Sequence, residues 1–288
     1  MSTTDRLGPE ARVDGSPGPA ADGEGVHTSH GYDIRYKFRA ASGDRRHLIV
    51  VFTGIKTDGD YDFDGRAAAG CKAAMLWIAD DFGGENAYYM SHAGERGLAD
   101  GVDELIRTQL SRLGLTARDC TLMGFSKGAS AALYYGTKYG YANIVASVPQ
   151  IKVGSFARDT YPKIYAHMTA SGSVEDCVEL NGLIPEAVRL DADLAKNIYL
   201  FSSVDDSQFG FHLKPFVPEL MKYENFNMIM TKSSQVTHHG EVTHYNVPLI
   251  LSIIYALSEG IAPRFGLTSN GAGEPFDYSE IKAGGADG

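Results

Sequence analysis

Cys120-Thr121-Leu122-Met123-Gly124-Phe125-Ser126-Lys127-Gly128-Ala129-Ser130-Ala131-Ala132 reads as a short apolar strand, a turn made of small residues, and the start of an Ala-rich helix. Its centre, Gly124-Phe125-Ser126-Lys127-Gly128, fits the pattern G-x-S-x-G. With 33 glycines among 288 residues, such a match arises readily from composition, so the five letters alone mean little. The setting adds the weight. A serine on a sharp strand-to-helix turn is held in a strained backbone conformation. Glycines two residues to either side then remove side chains that would strike the neighbouring strand and helix. This is the arrangement of a nucleophile elbow, and it predicts Ser126 as an attacking group. The plain alternative is a glycine-lined turn with an ordinary capping serine.

Working outward, residues 47–52 (His-Leu-Ile-Val-Val-Phe) form a nearly continuous apolar run, as expected of a strand buried on both faces. A second strand is predicted over 74–79, stopped by Asp80-Asp81-Phe82-Gly83-Gly84. Leu98, Val102, Leu105, Ile106, Leu110 and Leu113 recur at helical spacing, with Gly114 as the cap. Further strands are predicted over 144–148, 197–202 and 226–230, and a last helix over 246–258, with Pro248 in its first turn and Gly260 past its end. The polar, mixed segment 159–196 suits a small helical insertion serving as a lid. Alternating elements of this kind give an α/β class: an α/β-hydrolase-like, mostly parallel sheet flanked by helices. One catalytic domain is expected over 29–266. Residues 1–28 and 267–288 are poor in large apolar side chains, so a disordered leader and a flexible tail are expected there.

The net charge of -10 and the lack of a dense Lys/Arg run argue against a nucleic-acid partner. Cys71, Cys120 and Cys177 have no CxxC spacing, which points away from a disulfide framework or zinc site and toward a cytoplasmic chain. The longest apolar stretch, around 249–257, is too short to span a bilayer, and no signal peptide is evident. No cofactor is called for, and the oligomeric state is left open.

Serine needs a histidine to take its proton and a carboxylate to orient that histidine. In this fold they follow in the order Ser, Asp or Glu, His. The acid should follow a strand beyond the elbow. Asp205, after the run 197–202, is chosen, with Asp206 as the alternate if the turn is one residue longer; either could be a solvated turn carboxylate. For the base, three histidines crowd Thr237-His238-His239-Gly240-Glu241-Val242-Thr243-His244. His239 ranks first because Gly240 allows an exposed loop to carry the imidazole over the serine, then His244, then His238. A metal site is the lesser reading, because HExxH spacing is absent. Oxyanion donors are expected from the backbone N–H of Lys127 and of Gly54 or Ile55, after the first central strand. The Lys127 side chain is expected to face solvent. Tyr88, Tyr89, Tyr134 and Tyr135 could line a sugar site, but aromatic pairs are more often core packing.

The block from Asp119 to Gly136, together with Asn143-Ile144-Val145-Ala146-Ser147-Val148-Pro149-Gln150, resembles the α/β-hydrolase-like bacterial capsular polysaccharide biosynthesis proteins. The stretch His239-Gly240-Glu241-Val242-Thr243-His244-Tyr245-Asn246-Val247-Pro248 is similar too. The likeness spans about 45–262 unevenly, and Ala129 departs from the second glycine such elbows carry. The resemblance implies a role near cell-surface glycan production, with acyl transfer to or from a sugar hydroxyl. Two functional expectations follow. One is a serine esterase or acyltransferase acting through an acyl-enzyme on a small-molecule ester or acyl donor, with a glycan as possible acceptor. The other is a catalytically inactive glycan-binding or assembly component on the same fold.

Overall fold

The computed structural model describes residues 22–55, 61–279 and 281. The chain runs β1 (Gly23–Ser29), β2 (Tyr32–Arg39), β3 (Leu48–Phe52), α1 (Arg66–Ala69), β4 (Ala74–Ile78) and α2 (Gly97–Arg112). It continues through β5 (Cys120–Phe125), α3 (Lys127–Lys138), β6 (Asn143–Ser147), α4 (Val153–Thr160), α5 (Pro162–Met168) and α6 (Val174–Leu190). It closes with β7 (Asn197–Ser202), α7 (Val217–Leu220), β8 (Asn225–Thr231), α8 (His239–Ser258) and β9 (Leu267–Asn270). The nine strands form one sheet in the order β1-β2-β4-β3-β5-β6-β7-β8-β9. The two pairings of β2 are antiparallel and every other pairing is parallel.

The central strands β3 and β4 are apolar throughout because both of their faces are covered. In β3, Leu48, Val50 and Phe52 join the core beneath α2 and α3, while Ile49 and Val51 join the one beneath α8. Helices α4, α5 and α6 fill the connection between β6 and β7, and α6 packs on α3. The helical insertion therefore begins at Val153, ahead of the expected 159. Parallel strands aligned this way present their carboxyl ends, and the loops after them, along one rim of the sheet, where ligands bind in open α/β folds.

Three expectations need correcting. Residues 1–21 of the expected leader lie outside the described residues, but Gly23–Ser29 form β1, a hairpin partner of β2. Val26 stays 57% exposed, and β1 is held by its pairing with β2 and by buried Ser29, whose hydroxyl donates to Glu104 of α2 at 2.6 Å. The turn His30-Gly31 joins the two strands with φ of 50° and 81°, positive at both central residues as a two-residue hairpin turn requires. In the expected tail, β9 pairs with β8, the Tyr278 hydroxyl donates to Met228 O at 3.0 Å, and Ile281 is buried. Strand pairing and a tyrosine hydroxyl bond, with Ile281 as an apolar anchor, order this polar segment. Finally, the last helix starts seven residues earlier than predicted, at His239, and carries Pro248 in its interior.

Candidate active site

At the rim, β5 ends in Phe125 and α3 begins at Lys127, leaving Ser126 between them with φ 51° and ψ -117°. A β-carbon on Gly124 would lie 2.3 Å from Gly128 C, and one on Gly128 would lie 2.2 Å from Phe52 O. Neither position has room for a side chain. The strain at Ser126 is imposed by the strand and helix closing on it from both sides.

The side chain of Lys127 does not face solvent. It is fully buried and ion-paired with Asp80, which follows β4. Burial lowers the lysine's pKa, and the Asp80 carboxylate opposes that shift. The other Asp80 oxygen accepts the backbone N–H of Ala87 at 3.1 Å and of Tyr89 at 3.2 Å. The pair thus ties the elbow to a loop where Tyr88 and Tyr89 both adopt positive φ. Tyr88, Tyr89, Tyr134 and Tyr135 are all buried, as core packing requires. Lys127 opens α3, so its own backbone N–H has no partner inside the helix.

Of the two carboxylates after β7, Asp206 reaches a histidine. His239 Nδ1 lies 2.9 Å from Asp206 Oδ2, and Asp206 Oδ1 accepts the Gln208 N–H at 2.9 Å. Asp205, the first choice from sequence, points elsewhere and holds Lys232 Nζ with both oxygens at 2.9 Å. Val204 is exposed, Asp205 half-buried and Asp206 buried, so the turn runs one residue longer than the choice of Asp205 assumed. His239 sits on the first turn of α8 and not on a free loop. His238 is exposed and pairs with Glu241 at 3.3 Å, and His244 is exposed on α8. The far nitrogen of His239, Nε2, is buried without a hydrogen-bond partner.

Gln150, given no role in the sequence reading, donates from Nε2 to Ser126 Oγ at 2.6 Å. No local motif marks it, because it arrives from the loop after β6. Gly54 N–H donates to Asp62 Oδ2 at 2.7 Å, so that expected oxyanion donor is already engaged. Thr53, Gly54, Ile55, Asp80, Lys127 and Tyr161 border a cavity of about 800 Å³ between the strand ends and the α4–α5 insertion. Among the described residues no group of three or more His, Cys, Asp or Glu side chains could hold a metal ion. Nor is any described helix long and apolar enough to cross a membrane.

Residues 40–163, under half of the chain, match the family model described as accessory Sec system GspB-transporter. No curated protein matches the sequence. Among solved structures, the chain is similar to the capsule O-acetyltransferase of Neisseria meningitidis serogroup A, with a TM-score of 0.65 and 19% identity over 78% of this chain and 94% of that one. It is also similar to a Glycosylation Associate Protein complex from Streptococcus agalactiae, with a TM-score of 0.68 and 16% identity over 84% of this chain and 48% of that one. Est1E from Butyrivibrio proteoclasticus superposes with a TM-score of 0.56 and 11% identity over 83% of this chain and 98% of that one. At these identities the likeness is one of fold, and the fold is that of the α/β-hydrolases.

Proposed function

We propose that the chain is a serine-nucleophile acyl-transfer enzyme in which Ser126 attacks, His239 is the general base and Asp206 orients it. The observation that carries this reading is the His239–Asp206 hydrogen bond of 2.9 Å. It leaves the imidazole with one buried, unpartnered nitrogen at the sheet rim that bears the strained serine. In the first half-reaction the Ser126 hydroxyl gives its proton to His239 Nε2 while Oγ bonds to the ester carbonyl carbon, and the carbonyl electrons move onto oxygen. The backbone N–H of Lys127 stabilises that oxyanion, and with Gly54 engaged by Asp62 the second donor falls to Ile55. Collapse expels the leaving alcohol or thiol, which takes the proton from His239. In the second half-reaction an acceptor hydroxyl gives its proton to His239 and its oxygen bonds to the acyl carbon; the bond to Ser126 Oγ then breaks, and Oγ takes the proton back from His239.

The adjoining cavity is large enough for a small acyl donor or one sugar unit. The resemblance of the serine block to capsular polysaccharide biosynthesis proteins supports an acylated sugar or cell-surface glycan as substrate. A fluorophosphonate probe and a short-chain p-nitrophenyl ester, applied to wild type and Ser126→Ala, test the chemistry. Loss of label and turnover in the variant is expected, and label that persists removes Ser126 as nucleophile. Wild type that takes no label at all would favour a non-catalytic glycan-binding or assembly component. Turnover with water and a glycan hydroxyl both present identifies the acceptor.

A further inference from the structure

Resting on the reading of Ser126 as nucleophile, we propose that Gln150 is a further catalytic residue, whose carboxamide N–H holds the serine oxygen and fixes the directions of its proton and its attacking lone pair. The serine Oγ has four tetrahedral directions. One is the bond to Cβ, and Gln150 Nε2 occupies a lone pair at 2.6 Å. Two directions remain, one for the proton and one for the lone pair that meets the carbonyl carbon. With the proton sent to His239 Nε2, the last lone pair faces the substrate. Without the amide, the hydroxyl rotates freely about Cβ–Oγ, and productive alignment must be found anew at each encounter.

The amide is built to stay in place. Gln150 is 1% exposed, and its second N–H donates to Gln208 Oε1 at 3.1 Å. Its Oε1 accepts the Tyr88 hydroxyl at 3.4 Å. Its backbone is pinned by Ser130, whose Oγ accepts the Gln150 N–H and donates to Gln150 O, both at 2.8 Å. Two residues earlier Val148 takes φ 49°, a strained conformation for a β-branched side chain, and so turns the chain back over the rim. Gln208 in turn gives its backbone N–H to Asp206. Ser126 and Asp206 are therefore joined by a hydrogen-bonded path through Gln150 and Gln208.

The test uses Gln150→Met, which keeps size and removes the donor, and Gln150→Glu, whose carboxyl donates when protonated and only accepts when ionised. Rates of fluorophosphonate labelling at Ser126 are measured across pH, with probe affinity and thermal midpoint followed alongside. Gln150→Met should label about 10- to 100-fold more slowly than wild type, with unchanged probe affinity and an unmoved acid limb, since the Asp206–His239 pair is left alone. Compared with wild type at the same pH, Gln150→Glu should label at a similar rate at low pH and fall behind as the new carboxyl ionises, a profile that loosened packing would not produce. Labelling of Gln150→Met within about twofold of wild type, or slowing with a shifted acid limb and weaker probe binding, would overturn the role of Gln150 while leaving Ser126 as nucleophile. A wild type that takes no label overturns both readings.

Discussion

At Asp206, one carboxylate serves two partners, His239 through Oδ2 and the Gln208 amide through Oδ1. With His239 and Asp206 acting as proposed, Asn in place of Asp206 keeps the shape and removes the charge that would orient the imidazole, so Asp206→Asn should lower ester turnover by about 10³- to 10⁴-fold in steady-state assays. Asp205→Asn should stay within about twofold of wild type, because an ion pair with partly exposed Lys232 contributes little. Comparable loss in both variants would make the distinction between the two carboxylates wrong. The strand before them was legible in the sequence, but which of two adjacent aspartates turns inward depends on where Val204 and Ser203 place the turn. That is tertiary geometry with no local signature. Lys127 gave less warning still. A lysine after an elbow serine looks solvated until the chain 47 residues earlier supplies Asp80. Lys127→Met should cost about 3–5 kcal/mol in urea unfolding by stranding that carboxylate, and Asp80→Asn added to it should recover more than half, since Asn keeps an oxygen for the two backbone N–H groups.

Among the elements, the elbow was the most readable, because strand, small-residue turn and helix each leave a local mark and all three agree. Its tightness makes a sharp prediction. Gly128→Ala should destabilise the chain by about 3–5 kcal/mol in denaturant titrations, since its β-carbon would overlap the Phe52 carbonyl, which belongs to a central strand. A variant as stable as wild type would mean that α3 can back away from β3. The edges were less readable. β1 and β9 are made by pairing with a neighbour already in place, and α8 extends toward its N-terminus beyond its apolar stretch, with Thr237 and Glu241 bonded to each other across its first turn. Hydrophobic pattern reports burial, and these segments are ordered mainly by hydrogen bonds.

Across the whole molecule, buried histidines couple stability to pH. His47, bonded to Thr121 at 2.8 Å, and His212, packed near Asp206, are both pushed down to about 4 from the ordinary 6.5, chiefly by burial. In the unfolded chain they take up protons below about 6.5, while in the folded chain they do so only below about 4. Their contribution is thus complete above pH 6.5 and is lost progressively as pH falls toward 4. The thermal midpoint should drop across that window, and His47→Gln should flatten the fall; an unchanged slope would show that His47 is not one of its sources. The cavity beside the elbow draws its walls from two unlike sources. On one side stand the strand-end loops, locked by the Lys127–Asp80 pair and the glycine contacts; on the other, Tyr161, Pro162 and Lys163 project from the outer surface of the insertion. For protein engineering this divides the work cleanly: with Ser126 acting as proposed, libraries aimed at new acyl groups or acceptors belong on the exposed Tyr161, Pro162 and Lys163, and the elbow and the buried faces of the insertion should be kept as fixed parts.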